Sequence, residues 1–194
     1  MDRPSDPNPL IRLADRTPKD VCAHMPLAEA TRALLAHDPS PSQFLTALIE
    51  AGNNTDAVAY LAHALPKPDA VLWACLCVRA ALGDAATAEA AQALDAAEAW
   101  AREPSADNSR TAGAAAVEIE IDCGARFAAL AACWSGESMA PPDLPPVPPP
   151  PGLTGAAAAG AIQIAAAAGE PSSIPQRYRE FLARGILVAR TPPQ

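Results

Sequence analysis

The sequence is short of the features that would announce a chemistry. It has no Walker glycine loop, no G-x-G-x-x-G, no H-E-x-x-H and no G-x-S-x-G. The common phosphate, dinucleotide, zinc-hydrolase and nucleophile-elbow chemistries therefore have no motif to rest on. Aromatics are scarce, with three Phe, three Trp and two Tyr in 194 residues. Alanine instead supplies roughly a quarter of the chain, well above ordinary usage, so the core must be built from small side chains. Positive charge is short as well. Fourteen Lys and Arg stand against 22 Asp and Glu, a formal charge of -8 and the wrong sign for a protein that binds nucleic acid by neutralising phosphates. The start, Met1-Asp2-Arg3-Pro4-Ser5-Asp6-Pro7, has no basic region followed by an apolar one, so no secretory signal is expected and the expected compartment is cytoplasmic.

Five cysteines make an odd count, and four lie in apolar, alanine-rich runs, which points to reduced core residues rather than a disulfide framework. Cys75-x-Cys77 and Cys22-x-His24 lack the C-x-x-C spacing, so neither a metal nor another cofactor is expected. The longest uncharged stretch, 144–169, begins as a proline tract, and its later part, 155–169, is shorter than the roughly 20 residues of a bilayer span. That part reads as a buried helix, with stable membrane insertion excluded and peripheral membrane contact kept as an alternative.

Periodicity and punctuation predict a chain of short helices. Residues 1–25 mix four acids and four bases with prolines and few apolar groups, and read as an extended arm whose order is borrowed from the body. Helices are expected over 26–37, from Ser40-Pro41 to Gly52, and from Asn53-Asn54 to Pro66. The stretch 70–78 is apolar at every position and belongs at the centre of the fold. A fifth helix is expected over 84–103, with Glu98 and Arg102 as an i, i+4 pair, and a sixth over 111–134. Within the sixth, Glu118-Ile119-Glu120-Ile121-Asp122 alternates like a strand, and Gly113 and Gly124 leave a kink or strand open. Eight prolines in 141–151 read as a spacer, followed by helices over 153–168 and 175–184, with Gly185 as a cap before an apolar tail. The expected organisation is thus an arm over 1–25, a helical core over 26–135, a proline-rich spacer over 136–152 and C-terminal helices over 153–194. The fold class is all-α, a compact antiparallel bundle or a short irregular solenoid.

The three histidines, His24, His37 and His63, sit near predicted helix ends, where capping is their ordinary work. Glu118 and Asp122 would lie one helical turn apart, and Arg126 continues that ladder as a salt-bridged, solvated face. An enzyme assembled from Glu118, Asp122 and His63 is the alternative to a binding role. Charge is polarised. Residues 84–122 hold nine acids and two bases, while 175–194 hold Arg177, Arg179, Arg184 and Arg190 against Glu180. These poles predict docking on each other or electrostatic steering of a protein partner.

Two stretches, Ala64-Leu65-Pro66-Lys67-Pro68-Asp69-Ala70-Val71-Leu72-Trp73-Ala74-Cys75-Leu76-Cys77-Val78-Arg79 and Leu182-Ala183-Arg184-Gly185-Ile186-Leu187-Val188-Ala189-Arg190, resemble a family of uncharacterised, alanine-rich helical proteins of Gram-negative bacteria. The resemblance implies an accessory protein encoded near type VI secretion genes, with an adaptor, chaperone or assembly role and no catalytic residue. Sequence reasoning therefore expects a non-catalytic protein-interaction module, whose partner is a secretion-system component or effector. Its candidate contact residues are His63, Trp73 and Arg79 about the central helix and Arg177, Tyr178 and Arg184 at the basic end, because Trp, Tyr and Arg dominate hot spots.

Overall fold

The computed structural model describes residues 10–13, 16–140 and 143–192. Among them there are ten α-helices and no strand. The order is α1 Pro18–Cys22, α2 Glu29–Leu35, α3 Pro41–Glu50, α4 Asn54–Ala64, α5 Lys67–Leu82, α6 Ala88–Arg102, α7 Ala106–Val117, α8 Gly124–Cys133, α9 Leu153–Ala167 and α10 Ile174–Arg190. Short 3-10 turns lie at Ile11–Leu13, Gly83–Ala85 and Pro171–Ser173.

Local signals start these helices: α3 begins where the sequence places it, whereas α6 begins at Ala88 rather than at 84 and α7 at Ala106 rather than at 111. Ser40 Oγ accepts the Gln43 N–H at 3.2 Å while Gln43 Oε1 accepts the Ser40 N–H at 2.8 Å, a reciprocal capping box with Pro41 in the first turn. Thr87 and Ser105 cap α6 and α7 in the same way, each accepting an N–H from three residues on.

Helices α5 and α9 form the axle. α5 packs on α6, α8, α9 and α10, while α9 packs on α4, α5, α8 and α10. A solenoid contacts only its sequence neighbours, and the insertion of α9 among α4, α5 and α8 makes this a bundle instead. Trp73 is fully buried and its Nε1–H donates to the Phe181 carbonyl at 2.8 Å, so the largest core side chain ties α5 to α10. Leu76 is 38% exposed, so the apolar run of α5 keeps one open edge. Phe44 and Tyr60 add an edge-on ring pair at 4.8 Å between α3 and α4. Nearly everything else in α8 and α9 that faces inward is alanine, and small side chains let the helices approach closely.

Several expectations are corrected. Gly185 does not cap a helix, because α10 runs on to Arg190. A Cβ there would lie 2.5 Å from Trp73 Cε2 and 2.7 Å from Leu61 Cδ2, so this glycine is where α10 meets the core. The helix expected over 111–134 is two helices, and the alternating stretch 118–123 between them is neither helix nor strand. The reason is tertiary: a Cβ on Gly124 would stand 2.9 Å from Val78 Cγ2 and 3.1 Å from the Ala161 carbonyl oxygen, so α8 starts flush against α5 and α9. The arm is not extended where it is described. It forms the Ile11–Leu13 turn and α1, and it buries Leu10, Leu13, Val21 and Cys22. Arg12 clamps it by an ion pair to Asp69 at 3.2 Å and a bond to the Thr191 carbonyl at 2.9 Å. The described part of the proline tract is a loop folded back on itself, closed by the Met139 N–H donating to the Val147 carbonyl at 2.8 Å.

Candidate functional site

Two concavities of opposite sign flank the axle. The larger, about 520 Å³, opens where the C-terminal end of α5 meets the start of α6 and the 118–123 loop. Leu82, Ala90, Ile119 and Ala125 give it an apolar floor, and Glu89, Glu118 and Glu120 give it an acidic rim, with no Lys, Arg or His among its lining residues. Ile121 on its wall is 71% exposed and Val117 beside it 74% exposed. The Glu89 carboxyl is held below the usual carboxylate range by its own backbone N–H and by the Thr87 hydroxyl, which favours its charged form on the rim. Large apolar side chains left bare within a rim of one charge are the usual mark of a contact surface.

The smaller concavity, about 180 Å³, lies between α1, the end of α4 and the start of α9. Arg16, His24, His63 and Lys67 line it together with Pro149–Pro151, Gly152, Thr154 and Gly155, and no carboxylate is among them. Arg16 Nη1–H donates to the carbonyls of His63 at 2.7 Å and Ala64 at 3.3 Å, capping the end of α4. His63 Nδ1 bonds the Ala59 carbonyl at 2.8 Å, and its Nε2 is buried without a partner. Burial, and after it the charges of Arg16 and His24 acting against the Ala59 bond, hold the ring below the ordinary imidazole value.

The sequence-derived contact residues are not brought together. His63 lines the cationic cleft. Trp73 is sealed in the core, beyond the reach of a partner. Arg79 is spent on an intramolecular network, bonding Asp95 at 2.7 Å and Glu98 at 2.5 Å, with Arg102 on the other oxygen of Glu98 at 2.9 Å. Arg177 caps α9, donating to the Ala166 carbonyl at 3.1 Å and to Ser173 Oγ at 2.6 Å. Tyr178 borders a third hollow with Asn53, Asn54 and Pro175. Arg184 donates to the Leu76 carbonyl at 3.4 Å beside the open edge of α5. The basic end and the acidic belt do not dock on each other among the described residues, since the hydrogen-bond partners of Arg177, Arg179 and Arg184 lie on α5, α9 and α10 or the turn before it. Nor does the alternative catalytic set assemble: Glu118 lines the groove, His63 the cleft, and Asp122 pairs with Arg126 at 3.3 Å.

Among the described residues no group of three or more His, Cys, Asp or Glu could hold a metal ion. No described helix is long and apolar enough to cross a membrane, and the 155–169 stretch is largely consumed in packing as α9. The groove was missed by sequence reasoning although its signal was present, since Val117 and Ile121 stand among Glu118, Glu120 and Asp122.

Neither a curated protein nor a solved structure matches the chain. A model of a family of unknown function, DUF6931, matches residues 44–189. That range takes in α4–α9, most of α3, the 64–79 stretch, and all but the last residue of α10 and of 182–190. The match spans well over half of the chain, and the protein belongs to this family of unknown function.

Proposed function

We propose that this protein is a non-catalytic interaction module, and that the acidic groove at 82–125 receives an apolar side chain from a positively charged segment of a partner protein. The observation that carries the reading is the pairing of bare Val117 and Ile121 with a rim of glutamates and no lining base. An apolar anchor seated within complementary charge combines the two usual sources of interface energy and steering. The resemblance of 64–79 and 182–190 adds a setting: an adaptor, chaperone or assembly accessory of a bacterial secretion system, working in the cytoplasm on a secretion component or effector.

The test is affinity purification of the tagged chain from its native cells, run beside Ile121→Asp and the double variant Glu118→Lys, Glu120→Lys. The wild type should retain a partner whose affinity, remeasured with purified proteins, weakens as salt rises, and both variants should lose it. A partner held equally by all three chains would overturn the groove as its seat.

A further inference from the structure

We propose that the cleft between α1, α4 and α9 is a binding site for a small oxyanion, a phosphate group. The inference is independent of the groove. In a chain with a net charge of -8, this one cleft is lined by Arg16, His24, His63 and Lys67 and by no acid. The fixed charges of Arg16 and Lys67, gathered without a counter-charge, repel one another, and an anion between them relieves that repulsion.

The donors are available. Arg16 uses Nη1 on the end of α4, and no described residue engages its Nε or Nη2. Among the described residues the Lys67 ammonium makes a single 3.4 Å contact, to the Ser135 carbonyl. Opposite them α9, 15 residues long, begins with no capping side chain: its N-cap is Gly152 at φ 82, and its first turn holds no acid. The first-turn N–H groups of Thr154 and Gly155 have no carbonyl one turn back to bond, and both residues line the cleft. Gly155 is required for this approach, because a Cβ there would lie 2.8 Å from the His63 Cα. With Nδ1–H donating to the Ala59 carbonyl, the buried, unpartnered Nε2 of His63 is an acceptor, and the P–OH of a protonated phosphate is a donor that suits it.

Size narrows the ligand. About 180 Å³ falls below the range of pockets that enclose drug-sized molecules, and it suits a free phosphate or a compact phosphomonoester rather than a nucleotide.

The experiment titrates the full chain with inorganic phosphate at constant ionic strength, with chloride as the control, and follows amide resonances by NMR. Saturable shifts centred on Thr154 and Gly155 are expected. Lys67→Gln and His24→Gln, both at exposed positions, should each weaken binding roughly tenfold while leaving the amide spectrum away from the cleft unchanged. Phosphoethanolamine binding as well as phosphate would mark a carried phosphate group, and its exclusion would mark the free anion; either keeps the site. Shifts that do not saturate, that chloride reproduces, or that both variants leave unchanged would overturn it.

Discussion

The acidic groove and the cationic cleft differ less in size than in how the fold holds them. The groove is walled on one side by the 118–123 loop, whose Val117 and Ile121 neighbourhood touches water more than protein. The cleft is walled by the ends of packed helices, with Arg16 bonded across it and glycines at 152 and 155 where a side chain would collide. The difference teaches that one surface can be rewritten without disturbing the body, while the other is part of it. Stability measurements can break this contrast. Gly155→Val places new carbon against His63 Cα and should cost about 2 to 3 kcal/mol in urea unfolding. Ile121→Ser, at a site 71% exposed, should change stability by no more than about 0.5 kcal/mol. Equal losses from the two variants would mean that the groove wall is as structural as the cleft wall.

The same contrast explains what could be read from the sequence. The α3 start at Ser40 and Pro41 and the central place of Trp73 were legible, because local caps and an all-apolar face act through a few neighbouring residues. The break at 118–123 was legible only as an open alternative, because the alanine-rich flanks favour helix and the contact that fixes Gly124 is with Val78 and Ala161, far away in sequence. Gly185 misled for the same reason: glycine before an apolar tail is a stop signal locally, and only the Trp73 indole across the core explains a glycine inside α10. The cleft had no contiguous motif at all, since Arg16, His24, His63, Lys67 and Gly155 converge only after α9 docks. The burial of Leu10, Leu13 and Val21 was equally hidden, because these residues are too sparse to form a periodic face.

Acid should separate the two surfaces next. His63 is held below its ordinary value of 6.5, mainly by burial, so the unfolded chain takes up a proton there before the folded chain does. Its contribution to stability is therefore complete above pH 6.5 and is lost as pH falls from that value through the lower folded one. Thermal melts between pH 7.5 and 5 should show a fall for the wild type that His63→Gln reduces. Glu89, held below the usual carboxylate range, keeps its charge on the groove rim over the same interval. An identical pH profile for the variant would show that the cleft tolerates a protonated ring, and the contrast in rigidity would weaken.

The smallest perturbation is chemical labelling, because a cysteine lies beside each concavity. Cys123 lines the groove and is half-buried. Cys22 sits in α1 next to the cleft-lining Val21, 5% exposed, its thiol pushed up to about 11 by burial and then by Asp56. At pH 8 only about one in a thousand such thiols is the reactive thiolate even where reagent can reach it. Cys75 and Cys77, buried in α5 and pushed up to about 12, are more protected still. Brief treatment with iodoacetamide followed by peptide mass spectrometry should therefore find Cys123 modified first and Cys22, Cys75 and Cys77 last, with no change in the melting curve. A partner seated in the groove should slow the reaction at Cys123 alone. If Cys22 were labelled as fast as Cys123, α1 would be opening on the timescale of alkylation, and a cleft with so mobile a wall could not hold its cations in register around an anion.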